Sequence, residues 1–120
     1  MKDENLKPQD LKTRTKEFAL RIIKIYSSLP KSIEAQVIGK QLLRSGTSVG
    51  AHYREAIRGR SDAEFISKIE GGLQELEETL YWLELLSDSK IIPEEKLNRI
   101  TLEGNELIAR NLSIKMRHIL

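Results

Sequence analysis

Four basic side chains in the first half of the chain, Lys40, Arg54, Arg58 and Arg60, have the type and spacing to bind a ligand. Lys40, Thr47, Arg54 and Arg58 follow one another at intervals of seven, seven and four. On a helix turning about 100° per residue they share one stripe, opposite the apolar positions. The chemistry open to such a stripe is electrostatic, because cationic side chains neutralise phosphates and position a nucleic acid without reading its sequence. A solvated outer face of an ordinary bundle helix carries the same pattern. Tyr53 falls on the apolar side of this segment and is therefore no platform for a stacked base. The sequence contains no recognised RNA- or DNA-binding motif.

Other chemistries find less support. The two histidines are His52 and His118, and neither follows a glutamate by three residues, as a di-iron bundle requires. His52 has Glu55 one turn later, a single pair that predicts no metal site, and no other cofactor is expected. Nucleophilic catalysis lacks a cysteine, a Gly-x-Ser-x-Gly elbow and a phosphate-binding glycine loop. Glu77 and Glu78 are adjacent, so on a helix their carboxylates diverge. A non-enzymatic protein is expected.

The elements that position these residues are helical. Leu11, Phe18, Ile22 and Ile25 keep one face from about Asp10 to Ser28, and Leu29-Pro30 ends that helix. Ser32 is the expected N-cap of a second helix reaching about Arg58, where Gly59 suits a left-handed C-terminal residue. Ser61-Asp62-Ala63-Glu64 has the spacing of a capping box. After it, Ile66, Ile69, Leu73, Leu76, Leu80 and Leu83 form a seam in steps of three and four. Ser87-Asp88-Ser89-Lys90 closes this third helix, and Pro93-Glu94-Glu95 opens a fourth that runs to the end. The prediction is all-α: an antiparallel up-down-up-down four-helix bundle over residues 10–120 behind a flexible tail of residues 1–9.

Composition fits that picture. A chain of 120 residues suits one domain, and without cysteine it has no disulfide framework. The start is polar and no apolar run approaches the roughly 20 residues of a membrane span, so a soluble cytoplasmic protein is expected. Residues 1–60 carry 13 basic against 6 acidic side chains, and residues 61–120 carry 7 against 12. A nucleic-acid surface or pairing of one half with the other accounts for such asymmetry.

A second surface is also legible. Arg44, Ser48 and Glu55 share a flank of the second helix, while Gly71, Glu75, Glu78, Trp82 and Leu85 form an outer stripe on the third. Arg44 and Glu55 are too far apart to pair, so each is expected to meet another helix, another subunit or solvent. The small residues Ser45, Gly46, Thr47, Ser48, Gly50 and Ala51 are costly in an isolated helix and imply a close helix contact. Trp82, the only tryptophan, lies off the main seam. Both stripes are expected at subunit interfaces.

Arg44-Ser45, Ser48 and Glu55, then Ser61-x-x-Glu64-Phe65 and Leu73-Gln74-Glu75-Leu76-Glu77, resemble a bacterial family. Its members were first recognised as products of intervening sequences in 23S rRNA genes and are sometimes labelled ribosomal protein homologues. The resemblance runs from about Phe18 to Ile119 and implies an antiparallel four-helix bundle assembled as a ring-shaped homopentamer. The family also takes in the accessory variability determinant of diversity-generating retroelements, which binds nucleic acid and a reverse transcriptase. The usual Ala-Asn-Ile-Ala-Glu-Gly run stands here as Ala51-His52-Tyr53-Arg54-Glu55-Ala56, keeping the glutamate and adding a positive charge at Arg54.

Two functional expectations follow. In the first, a homo-oligomer binds RNA or a ribonucleoprotein partner, such as a reverse-transcriptase-like protein, through Lys40, Arg54, Arg58 and Arg60. In the second, the protein is an interaction scaffold without nucleic acid, and its charge asymmetry serves subunit pairing.

Overall fold

The computed structural model describes residues 8–119, with the side chains of Pro8 and Gln9 left aside. Four helices account for nearly all of it: α1 (Pro8–Ser27), α2 (Ile33–Ile57), α3 (Asp62–Asp88) and α4 (Glu94–Ile119). The helix starting near Asp10 begins at Pro8, whose fixed φ and missing N–H suit a first turn. The rest of the expected tail, residues 1–7, lies outside the described residues.

Local chemistry sets the ends. Ser32 and Ser61 are the N-caps, and their hydroxyls accept from Ala35 N and Glu64 N. The Glu64 carboxylate reaches back one residue further than in a standard capping box, accepting from Arg60 N at 2.6 Å. Gly59 departs from expectation, since no described glycine has positive φ. It is small for another reason: an added Cβ would lie 3.1 Å from the Ala56 carbonyl and 3.3 Å from Phe65 N. The left-handed residue is instead Lys90, at φ 64. Lys90 N donates to Ser87 O and Ile91 N to Leu86 O, both at 3.0 Å, which is the Schellman arrangement.

The helices pack in chain order, α1 on α2, α2 on α3 and α3 on α4, with α4 closing more loosely onto α1. The core runs through the middle, from Leu11, Phe18 and Ile22 to Leu42, Val49 and Tyr53, then Ile69, Leu76 and Leu83, then Ile100 and Leu107. The α3 seam is the one its spacing predicts, with Leu80 and Ile66 only partly buried. Small residues of α2 admit its neighbours. A Cβ on Gly46 would sit 2.8 Å from Ile22, and one on Gly50 would sit 3.2 Å from the Thr15 hydroxyl. On the α3 side, Thr79 Oγ1 is 2.8 Å from Ser45 Oγ and donates to Glu75 O at 2.7 Å. The close contact implied by the small residues is thus, at these positions, a contact within one chain.

Candidate nucleic-acid interface

The basic stripe depends on α2 keeping its apolar face inward, which Leu42, Val49, Tyr53 and Ala56 do. Lys40, Arg54 and Arg58 are then turned outward and exposed, and Arg60 is exposed in the turn to α3. Among the described residues none of the four takes part in an ion pair. The structure divides them. Arg54 and Arg58 are one turn apart and Arg60 follows at once, whereas Lys40 lies about 21 Å back along the helix at 1.5 Å per residue. The arginine end is therefore the denser part of the site. The carbonyl end of α2 favours cations, so Arg54 also has a local structural reason to be there.

The fold adds basic residues that no helical pattern in the sequence links to this stripe. Thr15 packs on Gly50, so the first half of α1 lies beside the same stretch of α2 and brings the exposed Lys12 and Lys16 with it. The last turn of α4 contributes Arg117 and His118. The signal that would have found the lysines is the register between Thr15, Ile22 and the α2 glycines, which only packing reveals. Beneath this end, Tyr53 is buried, and burial pushes its phenol above the ordinary value while the charge of Arg110 pulls it back.

The flank residues behave differently. Arg44 donates from Nη1 to Glu75 at 3.1 Å and from Nη2 to Glu78, so α2 and α3 are bridged within the chain. Desolvation works against its charge, but the two carboxylates outweigh this and raise its pKa. Ser48 donates to the Arg44 carbonyl at 2.7 Å. Glu55 meets Lys68 of α3 at 3.2 Å, with His52 Nδ1 at 4.0 Å. Gly71 makes room for the His52 ring, which would lie 2.8 Å from an added Cβ, and His52 Nε2 is 3.8 Å from Glu75. Trp82 and Leu85 are half-buried further along α3, and the Trp82 Nε1–H is buried without an acceptor among the described residues. Arg44, Ser48, Glu55, Gly71 and Glu75 thus form one intramolecular ladder, with Arg44 and Glu55 each partnered on another helix.

Arg14 shows the same satisfied state on the opposite side of the bundle. It holds Glu103 through two bonds of 3.0 and 2.8 Å and Glu106 through a third of 2.8 Å, which raises its pKa chiefly through Glu103. These bridges join the basic first half of the chain to the acidic second half. Among the described residues no group of His, Asp and Glu side chains is placed to hold a metal ion. No helix among them is long and apolar enough to cross a membrane.

A family model described as 23S rRNA-intervening sequence protein matches residues 8–112. Among solved structures, the chain is similar to a protein of unknown function from the S23 ribosomal protein family of Bacteroides thetaiotaomicron. The two share 39% identity and superpose with a TM-score of 0.86, over 91% of this chain and 97% of the other. No functionally curated protein matches the chain.

Proposed function

This chain belongs to the 23S rRNA-intervening sequence protein family, and from that premise we propose that it is a non-enzymatic homo-oligomer that binds structured RNA through its basic face. The observation that carries the reading is the contrast in charge pairing. Arg14 and Arg44 each hold two glutamates, whereas Lys40, Arg54, Arg58 and Arg60 are exposed and hold none. Cations left unpaired on one stripe suit phosphate contacts, and a ring of five, as the resemblance implies, would repeat that stripe around an axis. The same pairing favours the scaffold reading to one extent: Arg14 and Arg44 absorb part of the charge asymmetry inside the chain.

Filter binding against structured rRNA fragments separates the readings. Arg54→Glu with Arg58→Glu is expected to weaken binding at least tenfold for unrelated sequences alike, since phosphate contacts do not specify sequence. The double variant should keep its helix content and assembly, because both side chains point away from the core. Equal, weak binding by both proteins supports the scaffold.

A further inference from the structure

The end of α2 borders an open cleft of about 550 Å3 where the ends of α2 and α4 meet the start of α3. Its size lies within the range of small-molecule sites. Ile57 and Ile114 give it apolar walls, and the buried Tyr53 lies beneath. Phe65 and His118 line it as a stacked pair, with ring centroids 4.1 Å apart and planes inclined by 21°. His118 is exposed, and Phe65 covers one face of its imidazole. Its Nδ1 lies 3.2 Å from the Ile114 carbonyl, and an N–H donated there fixes the ring and leaves Nε2 free to accept.

Charge is arranged around this stack. Arg117 lines the cleft, and Arg58 and Arg60 lie in the connection between two further lining residues, Ile57 and Asp62. None of these arginines has a carboxylate partner among the described residues. Asp62 is the one carboxylate in the lining. A purely apolar ligand would leave Arg117 and this carboxylate unused, with Arg58 and Arg60 in the adjoining turn. A planar heterocycle attached to a phosphate uses the whole set.

We propose that this cleft is a nucleobase subsite for unpaired RNA. A base adds to the Phe65–His118 stack, its flanking phosphates lie on Arg58, Arg60 and Arg117, and Asp62 accepts from a ribose hydroxyl or an exocyclic amine. Aromatic platforms beside a cationic track are the general means of holding single strands, because every base has a π-face. The proposal rests on the RNA-binding reading and specifies where an unpaired nucleotide sits.

The test uses the full chain and three probes: adenosine 5′-monophosphate, a ten-residue oligoadenylate and a fully paired RNA duplex. His118→Ala is expected to weaken oligoadenylate binding about tenfold, the scale of one lost base stack. It should leave the duplex affinity and the salt dependence unchanged, since it removes no phosphate contact. Arg54→Glu with Arg58→Glu should weaken both polymers. Millimolar adenosine monophosphate should shift the His118 ring resonances in NMR spectra, and Phe65→Leu should abolish the shift. If RNA binds but His118→Ala leaves oligoadenylate affinity unchanged, the subsite is overturned while the RNA-binding reading stands. If no polymer binds, that reading fails, and unmoved His118 resonances with the mononucleotide overturn the subsite as well.

Discussion

Arg44 lies within α2 and Arg58 caps its C-terminal end, fourteen residues on, and the bundle treats their charges in opposite ways. Arg44 faces a helix that offers Glu75 and Glu78 one turn apart, and it is bonded to both. Arg58 is exposed and has no acidic neighbour within ion-pair reach among the described residues. The difference lies in what the adjacent helix presents and not in the arginines themselves. A paired arginine is explained by the fold, whereas a bare one needs either solvent or a ligand.

Charge reversal on the two sides sharpens this contrast most strongly. Arg14→Glu sets a third carboxylate beside Glu103 and Glu106 and should cost about 2 kcal/mol in urea denaturation. Arg58→Glu, at a surface position without a partner, should stay within about 0.5 kcal/mol of wild type. If the two cost the same, the contrast between paired and unpaired arginines fails as an account of stability.

Lys90 tests how the ends of the helices are made. Its left-handed backbone carries a penalty that glycine lacks, so Lys90→Gly should raise stability by about 1 kcal/mol. Gly59→Ala should be destabilising by crowding alone, because Gly59 has no positive φ. Thermal melts of the two variants moving in opposite directions would bear this out.

Arg44→Ala should have a smaller effect, about 0.5 kcal/mol, since the pair is half exposed and screened by solvent. It should fade in high salt and leave RNA affinity unchanged. Tyr53 probes whether the unpaired end is nevertheless well packed. Its folded pKa is raised above the ordinary value of 10. The stability this contributes is therefore complete below pH 10 and is lost as pH climbs through the folded pKa. A urea midpoint that falls above pH 10 in wild type, and falls less in Tyr53→Phe, is the expected result.

Much of this architecture is legible in the sequence. The four helices, the Ser32 and Ser61 caps and the α3 seam follow from periods of three and four and from short-range hydrogen bonding, which the sequence carries locally. Composition favours a left-handed residue at Gly59, whereas the Schellman bonds around Lys90 depend on where α3 stops. The spacing of Arg44 and Glu55 implies partners elsewhere, but the identity of the Arg44 partners depends on the α2–α3 register. The stripe of Lys40, Arg54 and Arg58 was visible on a helical wheel. The contributions of Lys12, Lys16 and Arg117 were not, because they arrive from other helices through packing.

On this reading the bare cations, and not the paired ones, meet phosphate. The salt dependence of RNA affinity tests it most directly, because its logarithmic slope counts phosphates neutralised at about 0.7 to 0.9 each. A steep slope is expected for wild type, an equal one for Arg44→Ala, and one shallower by about 1.5 for Arg54→Ala with Arg58→Ala. An affinity indifferent to salt, or a slope reduced as much by Arg44→Ala as by the double variant, would contradict it.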